Sequence, residues 1–173
     1  MNRKNWRIVG RFALLILIQL LVLNNVPLNA YMPRLYLYLL AILMLPTDMK
    51  RIPMLLTAFG TGLLMDIMDT SPLGFQALAC SIVAMMRILF VDRILTRGES
   101  TAISTPSIYS VSLQYFISYL LILFAAFYLV FFTVGQFGFS KFGGDLMATV
   151  ASTVATVLLA LLYQFIFLKK ETI

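Results

Sequence analysis

The chain has 173 residues, 61% of them hydrophobic and 12% charged, and a formal net charge of +6. Soluble domains run at roughly 45–50% apolar and about 25% charged, and a globule of this size has too little interior for so much apolar side chain. A cytosolic enzyme, a disordered chain and a secreted disulfide scaffold are therefore excluded, and lipid is the expected solvent. The absence of histidine and the single cysteine, Cys80, also exclude histidine-based catalysis and metal ligation, an internal disulfide and a thiolate zinc site. Cys80 lies in an apolar run and reads as packing. The basic residues fall in short clusters between apolar runs, a pattern of membrane topology rather than of a nucleic-acid patch.

A spanning helix needs about 20 mostly apolar residues. The first such segment is 12–26, preceded by Arg3, Lys4, Arg7 and Arg11. No small-x-small cleavage pair follows it, so it reads as an uncleaved helix rather than a signal peptide. Gln19, its internal polar group, is expected to face another helix. The second segment, 30–46, is built on Leu35–Leu45 and ends at Pro46, with Arg34 reaching the surface. The third, 52–68, is interrupted by Gly60, Gly62 and Asp66, and Asp69-Thr70-Ser71-Pro72 then makes a turn. The fourth is 73–91. Arg87, near its end, reads as snorkelling to the cytoplasmic surface, with an ion pair to a buried acid as the sharper alternative. Residues 92–107 are the most polar stretch and read as a loop or short surface helix. The fifth segment, 108–134, is long enough to span with tilt. Gly135–Gly144 reads as a glycine-rich loop, with Asp145 as the N-cap of the sixth segment, 146–168.

With the N-terminus in the cytoplasm, the inside segments hold Arg3, Lys4, Arg7, Arg11, Lys50, Arg51, Arg87, Arg93, Arg97, Lys169 and Lys170, while the outside holds Arg34 and Lys141. The split is 11 to 2. A wrong span count would scramble it, so the charges favour a single all-α membrane domain over 1–173, with six transmembrane helices and both termini cytoplasmic.

Asp66 is the most informative residue. A carboxylate near an apolar span faces the bundle or water, and Ala58-x-x-x-Gly62 is a small-residue packing pattern. Two readings stand side by side: a polar anchor or partner contact at the outer face, and a helix-end carboxylate held by water. Asp66 and Asp69 are three apart, yet nothing nearby in sequence supplies the nucleophile, ligands or pocket that an acid/base pair would serve. In the sixth segment Thr149, Ser152, Thr153 and Thr156 form a small, weakly polar stripe. Such stripes drive helix packing in lipid, internally or against a partner. The aromatic residues of the fifth segment read as core or lipid contacts, with a stacking platform for an aromatic ligand as the lesser reading.

The segment Gly62-Leu63-Leu64-Met65-Asp66-Ile67-Met68-Asp69-Thr70-Ser71-Pro72-Leu73-Gly74-Phe75-Gln76-Ala77-Leu78 resembles a motif of the MreD family, the rod shape-determining membrane proteins of bacteria. Gly62 and Asp66 match its Gly-x-x-x-Asp portion, and Leu73, Gly74 and Ala77 match its Leu-Gly-x-x-Ala-Leu portion. The remaining spans match by length and order. The resemblance implies a fold similar to the six-helix S components of energy-coupling-factor transporters, in the bacterial cytoplasmic membrane. It implies a non-enzymatic role in lateral wall elongation, without a cofactor. The implied partners are membrane lipid and an MreC-like protein, and through the latter MreB, RodA and a class B penicillin-binding protein. No nucleic acid is implied, and a homo-oligomer stays open. The alternative is a vitamin-binding S component, against which the outer loops are short and lack a polar or aromatic set able to enclose a ligand. An intramembrane enzyme fails for want of catalytic groups.

Overall fold

The fold is that of a computed structural model, which describes residues 3–23, 34–47, 49–69, 72–96, 113–135 and 142–167. Every regular element among them is helical. They are α1 (Arg3–Ile18), carried on by a π-helical turn over Gln19–Leu23, then α2 (Tyr38–Leu43), α3 (Arg51–Met68), α4 (Phe75–Thr96), α5 (Leu113–Gly135) and α6 (Phe142–Phe167). Four of these helices carry stretches long and apolar enough to cross a membrane, namely Arg51–Met68, Phe75–Asp92, Leu113–Val134 and Leu146–Ile166. The apolar stretch of α1 is shorter, Ile8–Leu21. Large apolar side chains point outward from these helices. Ile52, Leu56 and Ile67 of α3, Met85 of α4 and Phe165 and Ile166 of α6 are all at least 62% exposed. Acyl chains solvate such a surface and water does not.

The third expected span coincides with α3 to within a residue, because Lys50, Arg51 and the turn after Met68 bound it at both ends. α4 outruns the expected 73–91. Its helix continues to Thr96, so 92–96 prolong a spanning helix instead of starting a loop. There Asp92 meets Arg51 at 3.0 Å, both well exposed, a pair that contributes little by itself. The described part of the fifth span begins at Leu113, and 97–112 lie outside the described residues. α6 begins at Phe142, so Gly143, Gly144 and Asp145 occupy a helix's first turn rather than a loop and an N-cap. Glycine costs only about 1 kcal/mol in a helix, and an acidic residue is favoured beside the positive helix start.

The second segment departs most from expectation. Residues 34–36 are not helical, and α2 has six residues, a rise of about 9 Å. Tyr36 to Leu43 are all between 0% and 4% exposed. The run Leu35–Leu45 is apolar on every side, and a helix of that kind belongs in the middle of a bundle. Pro46 lacks the N–H needed to continue it. Around this centre α3 packs along α4, α4 along α5 and α5 along α6, while α1 lies against α2.

Candidate functional site

α3 and α4 pack against each other as a hairpin, with Gly62 on one side of the contact and Ala77 on the other. Ala58 and Gly62 are buried on the face of α3 turned to α4. A Cβ on Gly62 would lie 2.5 Å from Ala77 Cα, 2.6 Å from Gln76 O and 2.7 Å from Ala77 N, so hydrogen is the only side chain this contact admits. Asp69 ends α3, its N–H donating to Met65 O at 2.9 Å. Gly74 has φ of +98°, a conformation that favours glycine, and turns the chain into α4.

Asp66, 1% exposed, joins the two sides. Its Oδ2 accepts from the N–H of Gly74 at 2.9 Å and of Ala77 at 3.2 Å, and its Oδ1 from Gln76 N–H at 2.9 Å. The first N–H groups of a helix have no partner within it and carry the positive end of its dipole. A carboxylate from α3 therefore caps α4. Of the two sequence readings of Asp66 the polar anchor fits this placement, the anchorage being to the N–H groups of the next helix, whereas a carboxylate 1% exposed is not a helix end held by water. Of the other motif residues Ala77 is fully buried, while Leu73 is 70% exposed on the turn.

Asp69 serves different donors. Its Oδ2 accepts from Tyr36 Oη at 3.3 Å and Gln76 Nε2 at 3.1 Å. Gln76 Oε1 in turn accepts from Tyr38 Oη at 2.8 Å, and that hydroxyl also lies 3.5 Å from Cys80 Sγ. The two carboxylates thus hold separate donor sets and do not converge on one reacting atom. Among the described residues no group of three metal-ligating side chains comes together.

The central segment is held at both ends by side chains from other helices. At its start, Gln19 Nε2 donates to Leu35 O at 3.0 Å and Gln19 Oε1 accepts from Leu37 N–H at 2.8 Å. Gln19 thus faces inward as expected, toward the backbone that leads into α2. Tyr128 Oη accepts from Tyr36 N–H at 3.1 Å and donates to Arg34 O at 2.6 Å. At its end, Arg87 Nε donates to Leu43 O at 3.1 Å, Nη1 lies 2.9 Å from Met54 Sδ, and Nη2 donates to Leu45 O. Tyr119 Oη also donates to Leu43 O, at 3.1 Å. Arg87 is 1% exposed, so it does not snorkel, and among the described residues it meets backbone carbonyls and a thioether where a buried acid was the alternative. It neutralises the negative end of α2 and serves the carbonyls of Leu43 and Leu45, which have no helical N–H beyond them once the helix stops.

The stripe on α6 points inward. Thr149, Ser152, Thr153 and Thr156 are each 7% exposed or less. Ser152 Oγ accepts from Arg34 N–H at 3.1 Å, Thr156 Oγ1 lies 2.6 Å from Tyr128 Oη, and Thr153 Oγ1 donates to Thr149 O at 2.7 Å. The inward aromatic rings pack on one another. Tyr36 and Tyr128 stack at 5.8 Å, Phe127 and Phe131 at 6.0 Å, and the Arg34 guanidinium sits 5.8 Å over Phe131.

The structure thus brings the sequence candidates into two assemblies. Gly62, Asp66, Gly74 and Ala77 build the hairpin, and Ser152 and Thr156 help anchor the central segment. Sequence reasoning missed Gln76, Tyr36, Tyr38 and the anchoring roles of Tyr119 and Tyr128. A signal was present, since a tyrosine inside an apolar run has a hydroxyl that requires a partner when buried. No known protein family, curated protein or solved structure matches the chain.

Proposed function

We propose that this chain is a non-enzymatic membrane subunit of the MreD type. In this reading it lies in the bacterial cytoplasmic membrane with six crossings and both termini in the cytoplasm. It scaffolds an MreC-like protein and, through it, MreB, RodA and a class B penicillin-binding protein during lateral wall elongation. The observation that carries the reading is the hairpin. The residues that resemble the family motif hold two helices together, and such an arrangement suits a rigid platform whose outer surface meets other proteins.

The central segment supports the second crossing. It runs from Asp69, which accepts from Tyr36, to Met54, which lies against Arg87 beside Leu45. Met54 and Asp69 stand about 22 Å apart along α3, and tyrosine and arginine side chains make up the remaining reach. With Arg87 turned into the bundle, the remaining Lys and Arg divide 10 to 2 (11 − 1 inside), and this bias supports the orientation.

Two measurements test the proposal. Reporter fusions after Arg97 and after Lys170 are expected to read cytoplasm, and fusions at Thr70 and Phe139 periplasm; a periplasmic signal after Arg97 overturns the six-crossing topology. Co-purification from the native membrane is expected to recover an MreC-like protein, and depletion to round or widen the cells. Normal cell width on depletion, or a vitamin retained at sub-micromolar affinity by the purified protein, would replace this reading with that of an S component.

A further inference from the structure

The helices of the bundle differ in apolar length. The stretches Leu113–Val134 of α5 and Leu146–Ile166 of α6 have 22 and 21 residues. They rise about 33 and 32 Å, enough for a hydrocarbon core of about 30 Å. The stretch of α3 has 18 residues and rises about 27 Å. Its ends are fixed, since Lys50 precedes it, Arg51 opens it and Asp69 ends it. The carboxylate of Asp69 lacks the long stem by which lysine or arginine reaches a distant surface. α1 is shorter again. Between Arg7 and Asn24-Asn25 the run Ile8–Leu23 rises no more than about 24 Å, and it includes Arg11 near its start.

The two short helices are neighbours. Ile8 and Phe12 of α1 and Thr57 of α3 line one groove, whereas α5 and α6 pack along each other. Tilt does not remove the difference. A helix longer than the hydrocarbon tilts until it fits, but tilting a short helix only reduces its reach. Both short helices also present apolar side chains outward. Leu17 and Leu21 of α1 are 53% and 63% exposed, and Leu56 and Ile67 of α3 are 65% and 62% exposed. A bilayer of ordinary thickness beside them would lay acyl chain against their charged and polar ends, so the lipid there must shorten.

We propose that the flank formed by α1 and α3 gathers phospholipids with short acyl chains and thins the bilayer beside it, while α5 and α6 do not. The inference rests on the reading above in which these helices cross the bilayer, and the reporter fusions test that reading separately.

The test uses the full chain with its single tryptophan replaced, Trp6→Phe, and one reporter added at a time. Leu17→Trp stands on α1, Leu56→Trp on α3 and Leu158→Trp on α6, at positions 53%, 65% and 57% exposed. Each variant is reconstituted in mixtures of phosphatidylcholines with fourteen-carbon and twenty-two-carbon monounsaturated chains, one or the other brominated. Quenching of the tryptophan reports which chain lies next to it. Leu17→Trp and Leu56→Trp are expected to favour the short chain about threefold over Leu158→Trp. One common preference at all three positions, with the fusions reading as expected, would overturn this proposal alone. Quenching at none of the three would overturn it together with the reading of these helices as facing lipid.

Discussion

Alanine at Gly62 and alanine at Gly60 should behave as opposites, although the residues are two apart in one helix. At Gly60 a Cβ meets nothing within 4 Å, whereas at Gly62 it meets Ala77 Cα at 2.5 Å and two further backbone atoms of α4 at 2.6 and 2.7 Å. Backbone cannot rotate aside as a side chain does, so α4 must recede. Ordinary contact begins at 3.4 Å, which makes the displacement about 0.9 Å (3.4 − 2.5). Asp66 lies one turn further along the same face, and its bonds to Gly74, Gln76 and Ala77 are 2.9, 2.9 and 3.2 Å long. A displacement of that size stretches them beyond the useful hydrogen-bond range. Overpacking costs about 1–3 kcal/mol, and hydrogen bonds in membrane proteins average about 0.6 kcal/mol each. Gly62→Ala is therefore expected to lose about 3–5 kcal/mol. Gly60→Ala is expected to be neutral or to gain up to ~1 kcal/mol, as glycine-to-alanine changes in open helix positions do. Reversible unfolding in mixed micelles with increasing dodecyl sulfate measures both. If the two variants unfold within 1 kcal/mol of each other, the close α3–α4 contact does not carry the stability assigned to it.

Asp66→Leu takes this acceptor from the N–H groups of Gly74, Gln76 and Ala77, the last two buried, and is expected to cost about 3 kcal/mol or more. Asp66→Asn keeps one carbonyl oxygen but turns an amide donor toward an N–H, so about 1–2 kcal/mol is expected; identical unfolding curves for the two would refute the capping role. Arg87→Leu removes the donor from the Leu45 carbonyl, leaves Leu43 O with Tyr119 Oη, and is expected to cost about 2–4 kcal/mol. Arg87→Lys should fall between Arg87→Leu and the parent, since an ammonium keeps the charge but lacks the planar fork, and a fully stable Arg87→Leu would disprove the account of how α2 ends. Cys80, 0% exposed, is expected to react with a membrane-permeant maleimide at least 100-fold more slowly than in the unfolded chain, because labelling waits for opening. Gly62→Ala should accelerate it, and rapid labelling of the parent protein would contradict the packing between α2 and α4.

Much of the architecture is a local property of the chain. Runs of apolar residues broken by Pro46, Lys50, Arg51 and the Asp69–Pro72 turn locate α3 and the start of α4, because hydropathy and turn chemistry act over a few residues. The pairing of Gly62 with Asp66 before Gly74 likewise signals two helices that approach closely through a tight turn. The inward direction of Gln19 and of the Thr149–Thr156 stripe was readable too, since a polar group in an apolar helix avoids lipid. Where charge and position gave conflicting cues, the local reading failed. Arg87 stands near the end of an apolar run, where arginines commonly reach the surface, and Gly143-Gly144 has the composition of a loop.

What resolved such cases lies far away in the chain. Arg87 turns inward because the carbonyls of Leu43 and Leu45, more than 40 positions earlier, end a buried helix there. Ser152 meets the backbone of Arg34 across 118 positions, and Tyr128 meets that of Tyr36 across 92. Periodicity states which face of a helix is buried. It does not state which unsatisfied carbonyl or N–H waits opposite that face. The sequence by itself therefore determined the solvent, the helical class and the close α3–α4 turn. The tertiary structure alone decided that the second apolar run is a short central helix and which side chains hold its ends, because those partners are set by packing between distant segments.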